Sequence, residues 1–148
     1  MKEITLKVKR LTNSNLPLPT YMSEHASGLD LMADIETDIE LKPMQRVIVP
    51  TGISVEIPEG YEAEIRPRSG LAIRHGITLL NSPGTIDADY RGEIKIILVN
   101  LGNETFRIRK GDRIAQMVIK EVVKANIFEV DKLSTTKREN GGFGHTGI

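Results

Sequence analysis

Alternation of apolar and polar residues constrains the fold of this chain more than any other feature. The alternation begins at residues 4–8 and recurs at residues 53–57, 61–65 and 106–108. Successive side chains of a β-strand point to opposite faces of the sheet, so a period of two predicts strands that are buried on one face only. The chain is therefore expected to be built mainly from half-buried strands.

Two further segments are apolar on both faces, namely "IKIILV" (94–99) and "RIAQMVI" (113–119). This pattern is typical of central strands, or of strands with a second buried contact such as a subunit interface. Turn signals such as Pro58-Glu-Gly60 and Pro83-Gly84 recur about every eight to twelve residues. Together these features predict an all-β sandwich or barrel.

One short helix is expected in the segment "RPRSGLAIRHG". Ser69 is a candidate N-cap residue, and Gly76 is a candidate for the left-handed position that follows a helix. Helical periodicity is weak elsewhere, and there is no internal repeat.

Composition excludes several classes of protein. A chain of 148 residues is expected to form one domain with an adequate core, and it contains no cysteine for disulfides or thiolate chemistry. Its formal net charge is zero, so binding to a nucleic-acid polymer is not expected. There is no signal-peptide pattern and no apolar run long enough for a membrane span, so we expect a cytoplasmic protein without membrane contact.

The residues 134–148, "STTKRENGGFGHTGI", differ from the rest of the chain because glycines surround a single aromatic residue. Their apolar content is too low to add a strand to the core. One interpretation is a disordered terminus. The other is a flap in which Phe143, with Arg138 and Thr146 on either side, closes on an aromatic and anionic ligand.

Several polar residues suit the binding of a polyphosphate. Arg68 and Ser69 lie where a strand gives way to the start of a helix, and an N-terminal helix end with an arginine suits phosphate. Asp30 and Asp34 lie near a glycine and suit a hydrated Mg²⁺ ion. There is no P-loop motif, and the three histidines lack metal-ligand spacing.

Two carboxylates, Asp87 and Asp89, lie one residue apart beside Tyr90. Either acid is a candidate for activating water against a polarised phosphorus atom. The flanking Gly84 and Gly92 predict a hairpin, so the spacing alone does not choose between the two acids. The residues by themselves indicate a β-rich domain with a polyphosphate site.

Five blocks, in this order, resemble the trimeric dUTP pyrophosphatase (dUTPase) family. They are "ASGLDLMA" (26–33), "RPRSGLA" (66–72), "NSPGTIDADYRGE" (81–93), "GDRIAQMVI" (111–119) and "RENGGFGHTG" (138–147). The resemblance implies a β jelly-roll subunit and a homotrimer with three active sites built between subunits. It implies hydrolysis of dUTP to dUMP and pyrophosphate with Mg²⁺. It also implies a jelly-roll domain at 1–133 and a flexible tail at 134–148 that closes on the site of a neighbouring subunit.

The third block contains the residues expected to act on the base, the sugar and the attacking water. Asp87 matches the general base of the family, whereas Asp89 lies at a variable position and is interpreted as a solvated turn residue. Tyr90 matches the residue that packs under the deoxyribose and excludes a 2′-hydroxyl. Asn81 matches a uracil-reading group, as does the hairpin backbone at residues 85–86.

The remaining blocks match contacts to metal and phosphates. Asp30 matches an acid that holds Mg²⁺ through water. Arg68, Ser69 and Gly70 match phosphate-chain contacts, with Ser69 near the leaving oxygen. Gln116 matches a polar residue beside the phosphates, and its position in an apolar strand favours a role because a buried amide without a partner is costly.

The resemblance implies contacts in the tail as well. Arg138 matches a γ-phosphate ligand, Phe143 the ring that stacks on uracil, and Thr146 a terminal phosphate contact. The complete set of expected substrate-binding residues is Arg68, Ser69, Gly70, Asn81, Thr85, Ile86, Asp87, Tyr90, Lys95, Gln116, Arg138, Phe143, Gly144 and Thr146. The family usually has glycine where this chain has Glu139, and glutamate would be costly there if the position needs a positive φ.

Three alternatives to a dUTPase differ in testable ways. A dCTP deaminase shares the fold but carries a catalytic glutamate at the position of Ile97, which argues against deamination. A non-catalytic nucleotide-binding regulator would not need Asp87 and Ser69. A generic β-sandwich binding module would leave the five blocks unexplained.

Overall fold

The computed structural model describes all residues from 1 to 148 and contains eleven strands and one helix. The elements are β1 (Lys7–Arg10), β2 (Leu29–Met32), β3 (Ile39–Leu41), β4 (Arg46–Pro50), β5 (Ile53–Glu56), β6 (Tyr61–Arg66), α1 (Ser69–His75), β7 (Ile77–Leu79), β8 (Gly84–Ile86), β9 (Lys95–Asn100), β10 (Phe106–Ile108) and β11 (Arg113–Glu121). The helix has seven residues, and the structure contains no helix that would cross a lipid bilayer.

The strands pair antiparallel in four small sheets. The largest has the order β2-β11-β6-β8, the next has the order β4-β9-β7, and two pairs join β1 with β5 and β3 with β10. Strands from the two ends of the chain meet in a nested series, because β2 pairs with β11, β3 with β10 and β4 with β9. Such nesting of distant strands is the arrangement of a jelly roll, as predicted.

Alternate side chains along the strands point into the core and toward the surface, as the alternation in the sequence predicts. Ile96 and Leu98 of β9, and Ile94 just before it, belong to a core cluster of 20 buried residues, and each is at most 1% exposed. Ile97, on the opposite face of β9, is half-buried. Both doubly apolar segments form central strands, since β9 lies between β4 and β7 and β11 lies between β2 and β6. The central-strand interpretation is therefore confirmed.

The predicted helix is present, but its first boundary differs by one residue. The N-cap is Arg68, which has an extended backbone and makes no side-chain capping bond, so the prediction of Ser69 as N-cap is wrong. Ser69 is the first helical residue and is exposed to solvent. Gly76 has the predicted left-handed conformation, with a φ of 67°, and its N–H closes the helix by donating to Leu71 and Ala72.

The predicted hairpin between Gly84 and Gly92 is wrong. The strand β8 pairs with β6, whereas β9 pairs with β4 and β7, so residues 87–94 cross from one sheet to another. Glycines at both ends of a turn indicate a reversal of the chain, but they do not identify the partner of each strand. The crossing loop nevertheless retains a tight turn, in which the N–H of Tyr90 donates to the carbonyl of Asp87 at 3.1 Å.

The chain leaves the folded body after β11. The last hydrogen bond to the body is donated by the N–H of Val122 to Gly60 at 2.9 Å. We call residues 123–133 the arm. Its large apolar side chains are exposed, with Ile127 at 89%, Phe128 at 84% and Leu133 at 86%. Contiguous exposed apolar surface of this kind is typical of protein interaction sites.

Candidate active site

A cavity of about 280 Å³ opens between the crossing loop and the sheet that contains β9. Its apolar walls come from both sheets, since Ile65 lies on β6, Leu79 on β7 and Ile97 on β9. Six of the residues expected to bind substrate line it, namely Asn81, Thr85, Ile86, Asp87, Tyr90 and Lys95. An apolar cavity with a few polar groups at one wall is typical of a small-molecule site.

The two neighbouring acids of the crossing loop have different surroundings. Asp87 lines the cavity, whereas Asp89 does not. The side chain of Asp87 is exposed and forms no hydrogen bond or ion pair, so both its oxygens are free to accept a proton. The structure therefore distinguishes the two acids where their spacing did not.

The crossing loop is held in place by residues that the sequence did not single out. Arg91 donates to the carbonyl of Ala88 at 2.6 Å and lies 3.7 Å from the carboxylate of Glu56. Lys7, which is closer, holds the pKa of Glu56 below its usual range, and Arg91 adds to this effect. Glu93 accepts a hydrogen bond from the N–H of Gly52 at 2.9 Å. These contacts join the loop to β5 and to the turn before it, and non-local contacts of this kind leave no pattern in the sequence.

A second group of expected site residues surrounds Asp30 on β2. The carboxylate of Asp30 lies 3.5 Å from the guanidinium of Arg68 and 3.4 Å from that of Arg113. Gln116 lies opposite Asp30 in the register of β11 and β2, and its amide donates to the carbonyl of Pro67 at 3.0 Å. Arg113 was not predicted, because residues three apart on a regular strand point to opposite faces, and the shift of register between Arg113 and Ala115 is not visible in the sequence.

Close packing at Gly28 fixes the position of the Gln116 side chain. A Cβ atom at Gly28 would collide with the side-chain oxygen of Gln116 and would lie 3.1 Å from its Cβ. The glutamine amide therefore occupies the space that a larger residue at position 28 would fill. Gln116, Arg68 and Asp30 thus form a compact group that offers hydrogen-bond donors to an anion and one carboxylate.

Glu64 and Arg66 on β6 form a local ion pair next to this group. The carboxylate of Glu64 lies 2.7 Å from the guanidinium of Arg66 and 3.4 Å from the ammonium of Lys120. Arg66 chiefly, with Lys120, holds the pKa of Glu64 below its usual range. Glu64 therefore keeps its charge at neutral pH and neutralises Arg66, which leaves Arg68 and Arg113 as the arginines grouped around Asp30.

The cavity residues around Asp87 and the group around Asp30 lie toward opposite ends of β6. Ile86, the residue before Asp87, is opposite Ala63 in the register of β8 and β6. Arg66, the last residue of β6, follows Ala63 by three residues, which corresponds to about 10 Å at the rise of a strand, and Arg68 and Ser69 come after that end of the strand. A general base must lie about 3 Å from the proton that it accepts. Asp87 and Ser69 of one chain are therefore too far apart to act on one phosphorus atom.

The tail residues expected to bind substrate do not contact the body. The side chains of Arg138, Phe143 and Thr146 are exposed, and every hydrogen bond made after residue 122 is internal to the tail. The guanidinium of Arg138 donates to the carbonyl of Gly141 at 2.6 Å. Gly144 has a φ of 83°, which glycine adopts without strain.

Glu139 has the positive φ, 48°, that was expected to be costly for glutamate. A reciprocal pair of hydrogen bonds offsets this cost. The N–H of Thr136 donates to the carboxylate of Glu139 at 2.7 Å, and the N–H of Glu139 donates to the hydroxyl of Thr136 at 3.0 Å. The departure from glycine thus comes with a local contact that orders the turn around Arg138.

Comparisons with known proteins agree with this fold and site. The family model described as dUTPase matches residues 14–147. A protein of a Thermoanaerobacter species named deoxyuridine 5′-triphosphate nucleotidohydrolase is 57% identical over 146 residues, covering 98% of this chain and 99% of the relative. A protein of Syntrophotalea carbinolica with the same name is 58% identical over 148 residues, covering 100% of both chains.

Solved structures are also similar to this chain. The dUTPase of Staphylococcus bacteriophage 80alpha, determined with dUpNHpp, is 28% identical, has a TM-score of 0.84, and covers 97% of this chain and 99% of its own. Its similarity extends through the nested strands and into the tail. The family model covers all five blocks that carried the resemblance. The chain therefore belongs to the dUTPase family.

Proposed function

We propose that this protein hydrolyses dUTP to dUMP and pyrophosphate by attack of water on the α-phosphorus. The observation that carries the proposal is the cavity in which an unpaired carboxylate, Asp87, lies beside Asn81 and Tyr90. The curated relatives, which share more than half of their residues with this chain, are named deoxyuridine 5′-triphosphate nucleotidohydrolase, which supports dUTP as the substrate. The reaction would remove dUTP from the nucleotide pool and supply dUMP for dTMP synthesis, and we propose that it takes place in the cytoplasm.

Asp87 accepts a proton from the attacking water in this mechanism. Its free oxygens allow it to bind that water and to orient it toward the phosphorus atom. The backbone of Thr85 and Ile86, with the amide of Asn81, reads the donor and acceptor order of uracil. Tyr90 packs against the deoxyribose, and Lys95 provides a further contact to the nucleotide.

The phosphate contacts come from a second subunit of a homotrimer. Arg68, Ser69, Gly70 and Gln116 would approach the triphosphate from that subunit, because those of the same chain lie at or beyond the end of β6, about 10 Å or more from the end near Asp87. The tail of the third subunit would bring Arg138, Phe143, Gly144 and Thr146 over the nucleotide. The exposed apolar arm supports such an assembly, since packing it on a neighbour removes its side chains from water.

The residues of this site fit a hydrated Mg²⁺ ion and not an ion held by several protein ligands. No group of three or more His, Cys, Asp or Glu residues is arranged to hold a metal ion. Mg²⁺ commonly keeps several waters and takes its remaining ligands from one or two carboxylates and from substrate phosphates. Asp30, held by Arg68 and Arg113, fits as the carboxylate that contacts a hydrated ion. When bound, the ion would neutralise charge on the phosphates.

The test is pyrophosphate release from dUTP, dCTP, dTTP and UTP, each measured with Mg²⁺ and with a chelator. We expect turnover of dUTP alone, and only with Mg²⁺. Comparable turnover of UTP would contradict the role of Tyr90. Ammonia release from dCTP would identify a deaminase, although Ile97 in the cavity wall provides no carboxylate for that reaction.

A further inference from the structure

The side chain of Tyr90 lies directly over the backbone of Gly92. A Cβ atom at Gly92 would collide with the tyrosine hydroxyl and would lie 2.5 Å from the ring carbon that carries it. Gly92 does not have a positive φ. Glycine is therefore needed at this position for space and not for backbone conformation. Alanine fits the backbone here, and only the tyrosine ring would have to move.

The hydroxyl of Tyr90 is bound to the protein. It donates to the main-chain carbonyl of Glu93 at 2.9 Å. Both ends of the side chain are thus fixed, because the Tyr90 backbone is part of the turn that starts at Asp87. The ring is consequently presented to the cavity as an apolar face, with its one donor already used.

Glu93 is itself anchored to the turn before β5. Its carboxylate accepts from the N–H of Gly52 at 2.9 Å. The next residue, Ile94, accepts from the hydroxyl of Thr51 at 2.6 Å and donates its N–H to Ile53 at 2.9 Å. Three consecutive residues, 51–53, therefore hold the segment that carries the acceptor for the tyrosine hydroxyl. The position of the ring depends on this anchor as well as on Gly92.

We propose that Gly92 and Glu93 are positioning residues that set the preference for deoxyribose over ribose by fixing Tyr90. This inference rests on the proposed function. A 2′-hydroxyl that meets the ring would lose its water and find no partner, which is unfavourable. If the ring were free to tilt, its hydroxyl oxygen could turn toward the ribose and accept a hydrogen bond from the 2′-hydroxyl, and this penalty would disappear. Discrimination therefore depends on the anchors and not only on the presence of tyrosine.

The experiment measures kcat/KM for dUTP and for UTP in Gly92→Ala, Glu93→Ala, Glu93→Gln and Tyr90→Ala. We expect the dUTP-to-UTP ratio to fall by about tenfold or more in Gly92→Ala and Glu93→Ala, since an apolar pocket rejects an added hydroxyl by up to about a hundredfold. Glu93→Gln keeps an oxygen for the Gly52 N–H and should retain most of the ratio. Asp89→Asn, in the same loop but outside the cavity, is the matched control and should leave the ratio unchanged.

Each outcome has a defined meaning. If kcat/KM for both nucleotides falls in parallel in Gly92→Ala and Glu93→Ala, these residues have only a structural role and the inference is overturned. The same holds if Tyr90→Ala loses the preference while the two anchor variants, shown to be folded by thermal melting, keep it. If the unmodified enzyme does not hydrolyse dUTP, the proposed function fails. A double variant of Gly92→Ala and Tyr90→Ala should show no further loss of the ratio beyond Tyr90→Ala.

Discussion

A carboxylate acts as a general base through an oxygen that is free to accept a proton, and both oxygens of Asp87 are free. We expect Asp87→Asn to lower kcat by orders of magnitude while binding of a non-hydrolysable dUTP analogue is retained. The reason is that a base acts in the transition state and not in ground-state binding. Steady-state kinetics and calorimetric titration with the analogue would measure the two quantities separately.

Asp89→Asn is the matched control for Asp87→Asn, because it makes the same chemical change two residues away. Asp89 lies outside the cavity, so its variant should have nearly unchanged kcat. An inactive Asp89→Asn together with an active Asp87→Asn would reverse the assignment of the two acids.

The sequence predicted these residues only in part. A resemblance over five blocks identified Asp87, and the residues alone left Asp87 and Asp89 equal. The anchors Gly92 and Glu93 were not predicted, because their roles depend on the close approach of Tyr90 and on hydrogen bonds to Gly52. Spacing along a chain does not encode contacts of this kind.

At the scale of elements, local patterns predicted β5, β6, β9, β10 and β11, and placed the first strand at 4–8 where the structure has Lys7–Arg10. The other five strands and the partners of every strand were not predicted. Alternation identified β5, β6 and β10, whereas the pairing of β8 with β6 depends on residues about twenty positions apart. The helix was recognised from its glycine at the C-terminal end. Its N-terminal boundary was missed by one residue, because Arg68 caps the helix without the side-chain bond that a serine would provide.

Asn100 at the end of β9 shows how one buried side chain joins several elements. Its amide donates to Leu41 at 2.8 Å and to Glu104 at 2.8 Å, and its oxygen accepts from the N–H of Gly102 at 2.8 Å. We expect Asn100→Leu to lower the free energy of unfolding by about 3 kcal/mol, since three bonds are lost and buried carbonyls are left without partners. Urea denaturation would measure the change.

The control for Asn100→Leu is Asn103→Leu, which changes an exposed asparagine three residues further along. Its free energy of unfolding should stay within about 0.5 kcal/mol of the unmodified protein. Equal stability of the two variants would mean that the Asn100 bonds contribute nothing beyond those that water provides in the unfolded chain.

The tail is an element whose role depends on closure over the substrate. The chain contains no tryptophan, so Phe143→Trp would place a single fluorescent reporter in the tail. We expect its emission to change on saturation with a dUTP analogue and Mg²⁺, because stacking on uracil removes the ring from water. Unchanged emission at saturation would count against closure. The unmodified chain provides the background signal.

At the scale of the whole molecule, the resemblance predicted the jelly roll, the family and the division of the site between subunits. The first two are confirmed, and the division stays a prediction that the register of β6 and β8 supports. A mixing experiment tests that division. One variant carries Asp87→Asn, and the other ends after Leu133. Each alone should be nearly inactive, since every site lacks either its base or its tail. After both are unfolded, mixed equally and refolded, activity should recover to about a quarter of that of the unmodified enzyme.

The expected quarter follows from cyclic symmetry. About three quarters of randomly assembled trimers contain both variants, and each mixed trimer has one whole site among three. If the tail served the site of its own chain, no mixed trimer would contain a whole site. Recovery near zero, with co-assembly verified by differently tagged chains, would therefore exclude the shared arrangement without affecting the assignment to the family.

The separation of Asp87 from Ser69 along β6 has a consequence for how activity depends on the amount of protein. In the homotrimer that we propose, an isolated chain carries every functional group and yet completes no site, so it would be inactive until it assembles with two others. Far below the dissociation threshold of the trimer, the concentration of assembled enzyme rises with the third power of the chain concentration. Total activity in a dilution series should therefore pass from a linear to a cubic dependence, so that a modest change in expression near that threshold would act as a steep switch.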